Sequence, residues 1–138
     1  MICPGESEGP TQLDDLGSAR PIALWLRGQA DLRYACLRSV SMVGSRAASA
    51  YGSHVGAELA AAVSERGWTV ISGGAYGIDA AAHRGALEAG GRTIAVAATG
   101  LAQVYPPEHK ELAAEIAEHG GVVSESCQIG RASCRERV

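Results

Sequence analysis

From residue 39 onward, short apolar runs rich in β-branched residues alternate with Ala-rich stretches of helical period. The runs predict strands at 39–43, 69–72, 93–98 and 121–124. Between the first two, Val55, Leu59, Ala62 and Val63 recur at i, i+4, i+7 and i+8, which predicts a helix over about 51–66 with that face buried. Gly67 is its natural stop. A second helix, about 78–89, carries Ile78, Ala81, Ala82 and Leu87 on one side and ends at Gly90-Gly91. A third, about 107–119, opens at Pro106-Pro107, presents Leu112, Ala113, Ile116 and Ala117, and ends at Gly120-Gly121. Upstream, the apolar run 22–26 predicts one more strand, and the first 20 residues read as a loose lead-in.

This alternation is the mark of consecutive βαβ units, whose crossovers are right-handed. The predicted fold class is therefore α/β, a Rossmann-like open and mainly parallel sheet with helices on both faces. In such sheets ligands sit beyond the carboxyl ends of the strands, where loops meet helix N-termini. The loops after 39–43, after 69–72 and after 93–98 are thus the candidate site.

Composition narrows the class. At 138 residues with 46% hydrophobic and 20% charged residues, 18 Gly and no Phe, the chain is globular, one domain long, and built to pack helices closely on a sheet. Its apolar stretches fall short of a membrane span and no cleavable leader precedes them, so a cytoplasmic location is expected. Cys3, Cys36, Cys127 and Cys134 contain no Cys-x-x-Cys pair, which fits free thiols and indicates neither a disulfide scaffold nor a zinc site.

A net charge of −3 hides an uneven distribution. Residues 20–46 carry Arg20, Arg27, Arg33, Arg38 and Arg46 against Asp31 alone. Residues 108–125 carry Glu108, Glu111, Glu115, Glu118 and Glu125 against Lys110. Local potential, rather than net charge, decides whether an anion is attracted.

Two loops are equipped for phosphate. Gly44, Ser45 and Arg46 follow the first core strand and precede a helix for which Ser49 is the candidate N-cap, bringing bare backbone, a hydroxyl and a guanidinium to a helix N-terminus. Gly73, Gly74 and Gly77 follow the next strand and remove side chains where backbone would face a ligand. Tyr76 offers a ring for base stacking or for packing on the loop. Asp79, in the first helical turn, suits a dipole-stabilising role. A third loop, with Thr99-Gly100-Leu101 and Tyr105-Pro106-Pro107, is long enough to form a lip.

Other chemistries lack support. The second loop is neither Gly-x-Gly-x-x-Gly nor a P-loop, so nicotinamide dinucleotides and nucleoside triphosphates lose their best sequence signature. His54, His83, His109 and His119 have no metal-ligand spacing and read as surface or packing residues. No nucleophile elbow and no paired acids appear. No catalytic residue, cofactor or metal is expected, and the chain does not read as an enzyme.

With these residues in view, the chain resembles the DprA/Smf family of DNA-processing proteins across roughly 11–125. The resemblance rests on Val43-Gly44-Ser45-Arg46, Tyr51-Gly52, the run Ser72 to His83, Gly91 to Val96, and Val104-Tyr105-Pro106. Pro21 to Gly28 is similar to the family's lead-in. It implies single-stranded DNA binding in DNA processing and natural transformation, loading of RecA recombinase, and a homodimer in the full-length protein. Carried over by position, Gly44, Ser45 and Arg46 look like the family's phosphate-binding turn, with Gly73, Gly74 and Gly77 facing it.

The expected organisation is a lead-in at 1–20, a C-terminally truncated core at 21–125, and a tail at 126–138 whose composition resembles vector-derived readthrough. Two other functions use the same cradle: a phosphoribohydrolase-like enzyme acting on a nucleoside monophosphate, and a nucleotide-sensing domain. Against the enzyme, no Pro-Gly-Gly-x-Gly-Thr signature is present.

Overall fold

A computed structural model describes residues 1–102 and 106–126. Tyr105 of the third loop and the tail beyond Ser126, including Cys127 and Cys134, lie outside the described residues. The elements in chain order are a 3-10 segment at Thr11–Ala19, β1 (Trp25–Gly28), α1 (Leu32–Ala35), β2 (Ser39–Ser41), α2 (Ala50–Glu65), β3 (Thr69–Gly73), α3 (Ile78–Glu88), β4 (Thr93–Val96), a 3-10 turn at Pro107–His109, α4 (Lys110–His119) and β5 (Gly121–Ser124).

The strands form one sheet in the order β1-β5-β4-β3-β2. β2, β3, β4 and β5 are parallel, while β1 runs antiparallel along β5 with Trp25 opposite Ser124. Because β2 to β5 follow one another in sequence and in space, right-handed crossovers place α2, α3 and α4 on the same face. The side chains of the strands divide accordingly. Val70 packs with Ala60, Ala82 and Ala86 under the helices, whereas Ile71, Ile94 and Val123 point to the other face and pack with Leu32 and Ala35 of α1 and with Ile2. The expectation of helices on both faces is thus met unequally. The second face carries only the four-residue α1 and the N-terminal segment, leaving an apolar groove of about 310 Å³ between Leu13, Leu24, Ile71, Ile94 and Val123.

Two expectations need correction. The first twenty residues are not loose: Ile2 bridges Leu24 through both backbone bonds and is buried, and Arg33 donates to the carbonyls of Gly9 and Glu6. Buried apolar area and backbone pairing hold this segment down. The buried stripe of α2 is not the one that periodicity selects. Gly56, Ala60 and Ser64 are buried, while Leu59 is 54% exposed. The reason is the closeness of α2 to α3. A Cβ at Gly85 would stand 2.8 Å from Cα of Ala57, so only small residues fit along the seam. α3 lies on the sheet between α2 and α4 and is buried on most sides, with Asp79 and His83 inside.

Candidate functional site

The carboxyl ends of β2, β3 and β4 lie side by side, and their loops interlock. Ser72 at the end of β3 donates its hydroxyl proton to the carbonyl of Met42, just beyond β2. Further out, the amide of Ile78 donates to the carbonyl of Ser45 at 3.1 Å. Gly77, at φ 77°, lies where a Cβ would collide with the Ser45 carbonyl and stand 2.7 Å from that of Arg46. Gly44 is likewise closed off, since a Cβ there would stand 2.6 Å from Cγ1 of Ile78. The two glycine turns therefore belong to one surface.

On that surface Gly44, Ser45 and Arg46 are exposed. Ser45 Oγ accepts from the Ala47 amide at 3.1 Å, which sets the turn, and Ser49 caps α2 by accepting from Gly52 at 3.0 Å. The Arg46 guanidinium has no hydrogen-bond or ion-pair partner among the described residues. The Arg-rich segment does not form one patch around it. Arg20 pairs with Asp14 at 2.9 Å and Arg33 is taken up by backbone carbonyls of the N-terminal segment.

Gly73, Gly74 and Gly77 are half-buried, and Tyr76 is 43% exposed. The Tyr76 hydroxyl donates to Oε2 of Glu108 at 2.7 Å, a bond that holds the Glu108 carboxyl below its ordinary pKa. Its ring meets the His109 ring in an edge contact, with centroids 5.1 Å apart. The start of the third loop is anchored from β5, where Ser124 donates to the Thr99 carbonyl. Asp79 is buried in the first turn of α3, with Oδ2 2.6 Å from where a Cβ of Gly73 would sit. Gly73 is thus needed to admit the carboxylate, in keeping with a structural place for Asp79.

Periodicity and motif spacing missed two histidines beneath the loop. His83, 1% exposed on α3, lies with Nε2 2.8 Å from the Gly73 carbonyl and Nδ1 2.6 Å from the Thr93 hydroxyl. Burial pushes its pKa below the ordinary value, against the opposing pull of the Gly73 carbonyl and the Asp79 carboxylate. His109, also buried, donates from Nδ1 to the Gly74 carbonyl at 3.1 Å. No group of three or more His, Cys, Asp or Glu able to hold a metal occurs among the described residues. No helix among them is long and apolar enough to cross a membrane.

An open, mostly parallel sheet whose carboxyl edge carries two interlocked glycine turns is a Rossmann-like α/β domain. Within that class, residues 1–136 match the family model of DNA recombination-mediator protein A, and the chain belongs to that family. It is 50% identical over 105 residues to the putative DNA processing protein DprA of Mycobacterium tuberculosis, covering 76% of this chain and 27% of that one. It is 40% identical over 116 residues to the DNA processing protein DprA of Streptococcus pneumoniae, covering 84% of this chain and 40% of that one. Among solved structures, DprA from S. pneumoniae superposes with a TM-score of 0.81 at 34% identity, over 91% of this chain and 43% of the other. DNA processing protein A from Helicobacter pylori, solved to explain its single-stranded DNA binding mode, superposes with a TM-score of 0.79 at 26% identity, over 93% of this chain and 57% of the other. The chain spans well under half the length of these two curated relatives.

Proposed function

We propose that this chain binds single-stranded DNA without sequence preference, as the core of a cytoplasmic DNA-processing protein acting in natural transformation. Gly44, Ser45 and Arg46 take one backbone phosphate, Gly73, Gly74 and Gly77 leave the strand room to approach, and Tyr76 offers a face for a base. The observation that carries this reading is the interlock of the two glycine turns beside a guanidinium that has no partner among the described residues. A guanidinium and exposed amides at a helix N-terminus suit a phosphodiester. The single-stranded DNA binding of the H. pylori relative supports the same reading. The role is binding rather than catalysis. RecA recombinase as the protein that receives the strand, and a homodimer as the state of the longer protein, belong to the same proposal through the family resemblance.

The test is a titration of fluorescein-labelled oligothymidylate with the full-length protein, followed by anisotropy at two ionic strengths. Phosphate-directed binding weakens steeply with salt. Salt-insensitive binding, or none by a folded protein, overturns the proposal, as does release of free base from adenosine monophosphate.

A further inference from the structure

Two consecutive carbonyls of the glycine loop are turned under the loop, and each is met by a histidine from a different element. His83, on α3, donates from Nε2 to the Gly73 carbonyl at 2.8 Å, because a carbonyl can only accept. His109, in the 3-10 turn after β4, donates from Nδ1 to the Gly74 carbonyl at 3.1 Å. Both rings are buried and are fixed on their other sides. His83 is held by Thr93 of β4, and His109 by the edge of Tyr76.

The trans peptide unit is planar, with its N–H antiparallel to its C=O. Turning the Gly74 carbonyl onto His109 therefore turns the Ala75 amide the other way, whereas the Gly74 amide lies in the sheet ladder, where the parallel pairing of Gly73 with Val96 sets it facing the Val96 carbonyl. The Ala75 amide donates no hydrogen bond among the described residues. A carbonyl at the edge of a sheet ordinarily finds water, so holding two in succession from below requires dedicated donors. Here they come from two buried imidazoles. An outward backbone amide without a partner is a donor for an anion. This one lies on the loop whose Gly77 abuts Ser45 and Arg46.

We propose that His83 and His109 are positioning residues for the phosphate site: by holding the carbonyls of Gly73 and Gly74, they fix the loop so that the amide of Ala75 is aimed at a backbone phosphate. This rests on the reading of the surface as a single-stranded DNA site. The histidines touch no DNA themselves. Arg46 supplies the charge, and the histidine-held amide of Ala75 supplies a directed donor.

The experiment uses the full-length protein, oligothymidylate, and the variants His109→Ala, His109→Asn and His83→Gln, with folding followed by circular dichroism. Neutral amides displace no counterions, so their loss lowers affinity without changing the salt slope. His109→Ala is expected to weaken binding about tenfold, the scale of a lost bond to a charged group, at an unchanged slope. His109→Asn, whose side-chain amide also donates, is expected to recover most of it. His83→Gln tests the second anchor in the same way. Should the Ala variant fail to fold, the wild-type protein labelled with ¹⁵N decides, since the Ala75 amide resonance must move downfield as oligonucleotide is added. Wild-type affinity in folded His109→Ala, or an Ala75 resonance that stays still while DNA binds, overturns the inference and leaves DNA binding standing. Failure of the wild-type protein to bind oligonucleotide overturns both.

Discussion

Gly77 rests against the backbone of Arg46, so close that a Cβ at Gly77 would stand 2.7 Å from the Arg46 carbonyl oxygen. Its φ of 77° lies in the left-handed region as well. The two conditions add, since a side chain would be strained by the conformation and blocked by the neighbouring loop. Gly77→Ala is therefore expected to destabilise the fold by more than about 1–2 kcal/mol, the cost of the left-handed conformation alone. Urea denaturation measures it, and a loss below about 0.5 kcal/mol would show that the loops are not in contact.

Arg46 behaves in the opposite way. Its guanidinium is exposed and has no partner among the described residues, so folding gains little from it. Arg46→Ala should leave the unfolding midpoint in urea nearly unchanged while weakening oligonucleotide binding and lowering the salt slope by about 1. Equal losses of stability and binding would make Arg46 a structural residue.

The regular part of this fold is legible in the sequence because each parallel strand is a short β-branched run and each crossover a run of helical period. β3, β5, α3 and α4 stand within a few residues of where those patterns put them. What escapes are features that hydrophobic period does not encode. Leu59 is the more apolar residue, yet Gly56 and Ala60 face the core, because backbone approach to α3 selects for size rather than hydropathy. Ile2 enters the core from a segment rich in Gly, Pro and Glu, by pairing with Leu24 rather than by any periodic pattern. The glycine turns of the site are readable since they are local. His83 and His109 stand 26 residues apart in the chain and converge on Gly73 and Gly74 only once α3 and the 3-10 turn before α4 are in place. The one signal available was that a histidine in a small-residue helix must find partners when buried.

Stability should depend on pH through His83. Burial depresses its folded pKa below the ordinary 6.5, so folding favours the neutral ring. The associated stability is fully present above about pH 6.5, and it is lost as pH falls from there through the depressed folded value. Within that window the slope reaches at most about 1.4 kcal/mol per pH unit. Urea unfolding at steps between pH 7.5 and pH 5 should show the decline, and His83→Gln should flatten it. A wild-type profile no steeper than that of the variant would mean that the ring is not desolvated.

The fit of Gly44 against Ile78 is open to a double-mutant cycle. A Cβ at Gly44 would stand 2.6, 2.7 and 2.8 Å from Cγ1, Cβ and Cγ2 of Ile78, so Gly44→Ala forces α3 and the first loop apart. Overpacking of this kind costs about 1–3 kcal/mol. Ile78→Ala alone is also destabilising, since it removes a side chain that fills the space between the loop and Gly52 and Gly56 of α2. In the double variant the inserted methyl occupies part of the space that the isoleucine vacates. It should therefore be more stable than the sum of the single losses by at least about 0.5 kcal/mol, the lower end of coupling between touching residues. Because the same movement separates the two glycine turns, DNA affinity should fall in Gly44→Ala and return in part with Ile78→Ala. Strict additivity of the stabilities would mean that the two residues do not meet, and the interlock that joins the turns would lose its central contact.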